Sequence, residues 1–259
     1  MSNVRYEKRD HVARVTLERP VAMNAVDRAT EVELEEVWRA IEADGDVRVI
    51  VLTGAGERAF CAGADMKNSG HQTGLEYWAA PRPGGFGGIA LRETLEVPVI
   101  ARVNGVALGG GFEMVLGCDI VVACEDASFG LPEPRVGRLP LDGGMTLLQR
   151  QIAFRPAMGI LLTGRRVPAH EALALGLVNE VVPRADLDAA VGRWVAEILA
   201  CAPLSVRAIK AVARRTAHLT AREAQAQRLP ALVAALASDD SQEGVAAFRE
   251  KRAPVWKGR

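Results

Sequence analysis

The run Asn104-Gly105-Val106-Ala107-Leu108-Gly109-Gly110-Gly111-Phe112-Glu113 constrains this chain more than any other. It follows an apolar stretch, residues 97–103, that reads as a buried strand, and Asn-Gly breaks that strand. Three consecutive glycines then lead into a helical pattern at Phe112, Val115 and Leu116. Glycines at a helix entrance let a ligand approach the backbone closely. The first turn of a helix has free N–H groups and a partial positive charge. Together they form a seat for a negative oxygen. Glu113 lies one turn inside, near enough to act as acid or base. The pattern points to an enzyme that stabilises an oxyanion.

The surrounding chain alternates strands and helices, which predicts an α/β fold with parallel pairing. Alternation at Ala13, Val15 and Leu17 predicts a first strand over 12–17, ended by Arg19-Pro20. Asp27 or Thr30 caps a helix carrying Leu34, Val37, Trp38 and Ile41 on one face, with Trp38 read as core. Residues 47–52 form a nearly continuous apolar run, as in a strand buried on both faces. Another strand is expected over 119–123. Between them, residues 69–88 are rich in Gly, Pro and aromatics and predict a mobile loop with a short helix beside a site. After Val182-Pro183 the composition shifts to Ala, Leu and Arg, and residues 186–237 read as helical. Pro203 breaks that stretch, with separate helices expected over 207–217 and 222–236. The division expected is a core over 1–201 and a helical segment over 202–259.

Two further segments bear on chemistry. Residues 59–66, Ala-Phe-Cys-Ala-Gly-Ala-Asp-Met, follow a short turn after the buried strand. Their small side chains leave a backbone N–H accessible, and an oxyanion hole needs two converging donors. One donor would come from here and one from Gly109–Gly111. The same small residues also fit simple tight packing around a turn. Glu133, between Pro132 and Pro134, is a candidate partner for Glu113. Two carboxyl groups in one apolar pocket do not both ionise easily, so one serves as acid and the other as base. Spacing alone leaves open a solvated loop position for Glu133.

Composition excludes several classes. Lys+Arg and Asp+Glu balance at 32 each, which argues against general nucleic-acid or polybasic membrane binding. Cys61, Cys118, Cys124 and Cys201 contain no CxxC pair and are expected to be reduced core thiols of a cytoplasmic protein. No targeting peptide and no bilayer-spanning run is read. The four dispersed histidines contain no HExxH, so no metal site is expected. Gly54-Ala55-Gly56-Glu57-Arg58-Ala59 matches a dinucleotide fingerprint, with Glu76 about 20 residues on. A helix should follow those glycines, and Phe60-Cys61-Ala62-Gly63 does not start one, so nicotinamide binding is rejected.

Taken together, several segments resemble the enoyl-CoA hydratase/isomerase (crotonase) family. They are Arg19-Pro20 with Met23-Asn24-Ala25, residues 59–66, 104–113 and 128–133, Leu162-Thr163-Gly164-Arg165 with Glu171-Ala172 and Gly176-Leu177-Val178, and the closing residues 250–259. The match spans nearly the whole chain. The loop Pro83-Gly84-Gly85-Phe86 and the tail Pro254-Val255-Trp256-Lys257-Gly258-Arg259 look like the branch that holds carnitinyl-CoA dehydratases and nearby bacterial hydratases.

The resemblance implies a ClpP/crotonase spiral of ββα units, with a C-terminal helical segment that drives assembly as a homotrimer or homohexamer. It implies an acyl-CoA thioester substrate, with coenzyme A as part of the substrate and no further cofactor. By motif position the thioester oxygen would sit between the N–H groups of Ala64 and Gly110. Glu113 and Glu133 fall on the two catalytic carboxylates of the hydratases. Substrate and CoA contacts are implied at Ala22, Met23, Ala25, Ala62, Asp65, Met66, Gly109, Pro132 and Leu141, with Phe248 and Lys251 approaching the nucleotide of this chain or of a neighbouring one. Having both glutamates favours reversible hydration of a 2-enoyl-CoA. Carnitinyl-CoA dehydration and enoyl-CoA isomerisation are the related alternatives, and a non-catalytic acyl-CoA-binding protein is the alternative from another class. One departure stands out. Where many hydratases place a small residue after Gly137-Arg138-Leu139-Pro140, this chain has Leu141. Its side chain narrows the space for the acyl group and the water.

Overall fold

The computed structural model of the chain describes residues 2–66, 73–80 and 82–259. In chain order the elements begin with β1 (Val4–Arg9), β2 (Val12–Leu17), α1 (Arg28–Ala43), β3 (Val49–Gly54), β4 (Ala59–Cys61) and α2 (Gly74–Ala79). They continue with β5 (Val99–Val103), β6 (Val106–Leu108), α3 (Gly110–Gly117), β7 (Ile120–Cys124), β8 (Ser128–Gly130), α4 (Gly144–Gln151) and α5 (Phe154–Thr163). Next come β9 (Arg166–Pro168), α6 (Ala169–Ala174), β10 (Glu180–Val182) and α7 (Leu187–Leu199). The chain closes with α8 (Pro203–Arg215), α9 (Ala221–Ala226), α10 (Pro230–Ala237) and α11 (Asp239–Glu250).

The strands form a six-stranded sheet in the order β1-β2-β3-β5-β7-β10 and a four-stranded sheet in the order β4-β6-β8-β9. The pairs β3/β4, β5/β6 and β7/β8 each give their first strand to the larger sheet and their second to the smaller. A helix-bearing segment then returns the chain to the next pair, which makes a spiral of ββα units. Within the larger sheet β2, β3, β5, β7 and β10 pair in parallel, with Ile50 opposite Val99 and Ile100 opposite Ile120. Every residue of β3 is buried, as a strand covered on both faces requires.

The boundaries differ from the sequence expectation in instructive ways. Strand β3 starts at Val49, because Val47 packs in the core before pairing begins. Strand β1 was not expected. It pairs antiparallel to β2 at the sheet edge, and its Tyr-Glu-Lys-Arg run is largely exposed, so it carries no apolar alternation. Asp27, not Thr30, caps α1, and its Oδ1 accepts from the Thr30 N–H at 2.9 Å. Trp38 is fully buried, and its Nε1 donates to the Gly87 carbonyl at 2.7 Å. That bond clips α1 to the short 3-10 turn Phe86–Gly88. Of the loop expected over 69–88, Ser69–Gln72 and Pro81 lie outside the described residues. The short helix expected there is α2, and Thr73 with Glu76 forms its capping box.

Helix α8 starts at Pro203 rather than at 207, with proline in the first turn, where no N–H is needed. The helix expected over 222–236 is two helices, since Pro230 opens α10 and ends the run from α9. Helix α8 fastens the C-terminal segment to the spiral: the Lys210 ammonium pairs with Asp119 at 2.7 Å, and Arg207 donates to the Val47 carbonyl at 2.8 Å. Cys61, Cys118 and Cys124 are buried, but Cys201 is exposed and is not a core thiol. Among the described residues, no helix is long and apolar enough to cross a membrane.

Candidate active site

Helix α3 begins under close steric constraint. Its N-cap Gly109 has φ 54° and ψ −128°, a conformation open to glycine alone. A Cβ on Gly111 would lie 2.1 Å from the Cys61 carbonyl oxygen, and one on Gly110 would lie 2.4 Å from the Phe86 ring. On the facing segment, a Cβ on Gly63 would lie 2.9 Å from the Leu108 carbonyl oxygen and 3.2 Å from the Gly110 nitrogen. The helix N-terminus is therefore pressed against residues 61–64 with no side chain between them. Among the described residues, neither the Ala64 nor the Gly110 N–H has a hydrogen-bond acceptor. Both residues line one cleft of about 940 Å³.

Polar side chains lock the segment that carries Ala64. Asn104 donates to the carbonyls of Gly54, Gly56 and Ala59, and Asn24 donates to those of Ala55 and Ala59. The turn that resembles a dinucleotide fingerprint is thus stapled and runs into strand β4, not a helix. Arg19 pairs with Asp27 at 3.0 Å and with Asp65 at 2.9 Å. The Val26 N–H donates to Gly63 and the Asp65 N–H donates to Val26, both at 2.9 Å. Both neighbours of Ala64 are thereby tied.

Glu113 and Glu133 open on the same cleft as these amides. Glu113 is 3% exposed, and its Oε1 accepts from the Asp142 N–H at 2.9 Å and the Gly144 N–H at 2.8 Å. Burial pushes its carboxyl up to about 8; the charges of Asp142 and Glu133 add to the rise, and the two backbone donors oppose it. Burial also raises Glu133, whose Oε2 is buried with no hydrogen-bond partner among the described residues. A Cβ on Gly109 would lie 2.8 Å from Glu133 Oε1, so Glu133 rests against the N-cap of α3. A buried acid next to a second carboxyl and two free donors has the parts for acid–base work on a substrate that develops negative oxygen. Among the described residues, no cluster of His, Cys, Asp and Glu is arranged to hold a metal.

The structure brings Ala62, Met66, Gly109, Pro132 and Leu141 to this cleft as well. Other expected contacts fall elsewhere. Asp65 is buried and paired with Arg19, and Ala25 is buried with its carbonyl accepting from Arg19. Met23 lines a separate hollow with Arg58 and Arg184, and Ala22 lines neither. Phe248 is 86% exposed on α11 and Lys251 caps that helix in a left-handed conformation; neither lines the cleft of its own chain. Tyr77 and Arg82, from the segment expected beside a site, line the cleft, as does Asp142, though the sequence assigns none of the three a role. Asp142 follows Leu141 in a loop without periodicity, and nothing in the spacing ties it to Tyr77, 65 residues away.

The chain is similar over nearly its whole length to known proteins. The enoyl-CoA hydratase/isomerase family model matches residues 7–259. The carnitinyl-CoA dehydratase of Escherichia coli K12 is 40% identical over 252 residues, covering 96% of this chain and 95% of the relative. The solved structure of enoyl-CoA hydratase from Bacillus anthracis superposes with a TM-score of 0.90 at 33% identity, covering 99% of this chain and 100% of that one. The enoyl-CoA hydratase structure from Mycobacterium tuberculosis gives a TM-score of 0.89 at 33% identity, covering 100% of both chains.

The raised Glu113 carboxyl predicts a pH-dependent stability. Between the ordinary glutamate value of 4.5 and about 8, the folded protein binds a proton that the unfolded chain has released. The stability from this group is complete below 4.5 and is lost as pH rises through about 8. Glu113→Gln cannot titrate. Relative to the wild type it should gain on the order of 2–4 kcal/mol in urea unfolding between pH 5 and pH 8. Parallel stability curves for the two proteins would contradict the shift.

Proposed function

This chain belongs to the enoyl-CoA hydratase/isomerase family, and on that premise we propose that it is a hydro-lyase that reversibly adds water across the 2,3 double bond of a 2-enoyl-CoA. The observation that carries the reading is the meeting, in one cleft, of the buried Glu113 carboxyl and the half-buried Glu133 with two amides that have no acceptor among the described residues.

In this reading the thioester oxygen accepts from the Ala64 and Gly110 N–H groups. Burial raises both carboxyl groups, and Glu113, pushed up to about 8, holds a proton at neutral pH. The Glu133 carboxylate takes a proton from water as the water oxygen bonds to C3. The electron pair of the double bond moves towards the thioester oxygen, where the two amides stabilise the enolate. Glu113 then gives its proton to C2, and transfer between the two carboxyl groups resets the site. Losing one such amide donor costs on the order of 10²–10³ in rate. Met66 and Ala62 line the mouth beside Ala64, where the CoA arm would lie. Binding of that arm supplies the orientation that the small reacting centre lacks. The Asp65 side chain, paired with Arg19, holds the segment that carries Ala64 in place.

The second reading, carnitinyl-CoA dehydration, is favoured by the 40% identity to the Escherichia coli enzyme of that name. The proposal extends to self-assembly. Helices α8, α10 and α11 leave Ile209, Leu236 and Phe248 at 70%, 72% and 86% exposure in the single chain, an apolar surface suited to further copies. Sedimentation equilibrium should give a trimer or hexamer, and a monomer at all concentrations would remove this part.

Crotonyl-CoA, longer 2-enoyl-CoAs and crotonobetainyl-CoA, assayed by loss of the conjugated thioester absorbance, separate the two readings. Glu113→Gln and Glu133→Gln should each lower kcat by about 10²–10⁴. No turnover of any of these substrates would sink the hydratase reading and favour a non-catalytic acyl-CoA-binding protein, and unchanged turnover in both variants would remove the two glutamates from the mechanism.

A further inference from the structure

Besides Glu113 and Glu133, Asp142 brings a third carboxyl group to the reacting end of the cleft, and the proposed chemistry leaves it unused. Its N–H donates to Glu113 Oε1 at 2.9 Å, which places the residue beside the reacting centre. Asp142 is 6% exposed, and its side chain turns to Tyr77 on α2, whose hydroxyl donates to Oδ2. Among the described residues its carboxylate has no other hydrogen bond and no ion pair. The hydroxyl is neutral, so it orients the carboxylate without offsetting its charge. Three basic side chains among the described residues line the cleft, and none of them is spent on Asp142. Arg82 pairs with Glu31 of α1 and lies 4.0 Å from the centre of the Tyr77 ring, Arg28 pairs with Glu31 at 3.3 Å, and Arg138 is exposed. Phe86, Leu141 and Met145 add apolar surface to the same cleft. A buried carboxylate without a cation against it is costly, and opposite charges attract strongly where water is excluded.

We infer that Asp142 is a specificity-determining residue: its carboxylate receives an alkylammonium group carried at the far end of a short acyl chain. The inference rests on the reading of this cleft as the seat of an acyl-CoA. With the thioester oxygen between Ala64 and Gly110 and the reacting carbons beside Glu113, the acyl tail leads on to the loop that carries Asp142. Leu141 narrows the space there and favours a short chain. A cation at its end completes an ion pair that Asp142 lacks in the chain alone. The adjoining Tyr77 ring already holds one cation, the Arg82 guanidinium. Burial pushes the Asp142 carboxyl up, while the Tyr77 hydroxyl and the Arg82 guanidinium pull it back and favour its ionised form; an entering cation adds to them. An anionic tail would instead meet the carboxyl groups of this end of the cleft, and an apolar tail would cover the Asp142 charge and leave it unpaired.

Calorimetric titration with saturated thioesters, which cannot add water, tests it. 4-Trimethylammoniobutyryl-CoA and 5,5-dimethylhexanoyl-CoA have the same shape and differ by one charge. The wild type should bind the cationic thioester about tenfold more tightly than its neutral isostere. Asp142→Asn keeps the amide to Glu113 and an acceptor for Tyr77 but removes the charge. In that variant the two affinities should converge, through weaker binding of the cationic thioester. Asp142→Ser, with a smaller uncharged side chain, gives the same comparison if the Asn variant does not fold. Equal affinities in the wild type, a cation preference retained in the uncharged variant, or tighter binding of glutaryl-CoA than of the cationic thioester would each overturn the inference. Failure of the wild type to hydrate any enoyl-CoA would instead count against the functional reading, and the binding comparison, which needs no turnover, would still decide this one.

Discussion

Helix α3 lies against strand β4 and the residues after it with only glycine at the contact, and the rest of the site follows from that approach. The Cys61 carbonyl occupies the space a side chain on Gly111 would need, and the Phe86 ring occupies that of Gly110. Because the approach is so close, the Gly110 N–H faces the segment that carries Ala64, and two donors that are far apart in sequence open on one cleft. The same approach buries the first turn of α3 and takes Glu113 out of water. A single side chain at either glycine would separate the donors and expose the acid together.

Within that frame, two effects of opposite sign act on Glu113. Removal from water disfavours its carboxylate, and two backbone donors favour it. Burial wins, helped by the nearby charges of Asp142 and Glu133. The donors are still needed, because they fix Oε1 and leave the other oxygen to present a proton. Glu133 has no comparable pair of backbone donors among the described residues, and its Oε2 is unpartnered. An unpaired buried polar atom costs about 1–3 kcal/mol. In the proposed reaction the attacking water removes that cost. The two carboxyl groups are thus made unlike by their surroundings, although both sit in one cleft.

What could be read from the sequence was local. The glycine run announced the helix start and placed Glu113 in its first turn, because the break from strand to glycine to helical period lies within ten residues. The buried strands showed as apolar runs, with ends shifted by a residue or two where a core residue such as Val47 precedes the pairing. The family motifs extended this to Ala64 and Glu133. Features that depend on long-range contact left no pattern. Strand β1 is mostly charged because it is an exposed edge. The Tyr77 to Asp142 bond spans 65 residues. Asn104 reads only as a strand breaker and Asn24 only as part of a family motif, yet together they staple the turn between β3 and β4. Pro230 sits inside an Ala- and Leu-rich helical pattern and yet begins a new helix.

The central claim is that Glu113 acts as the buried acid and Glu133 as the base. The pH dependence of kcat/KM on the best enoyl-CoA substrate, in the wild type and in Glu113→Gln, tests it most directly. The account predicts a bell whose alkaline limb falls near about 8 as Glu113 loses its proton. That limb should be absent from the residual activity of Glu113→Gln. A wild-type profile flat through pH 9, or an alkaline limb that persists unchanged in Glu113→Gln, would contradict it.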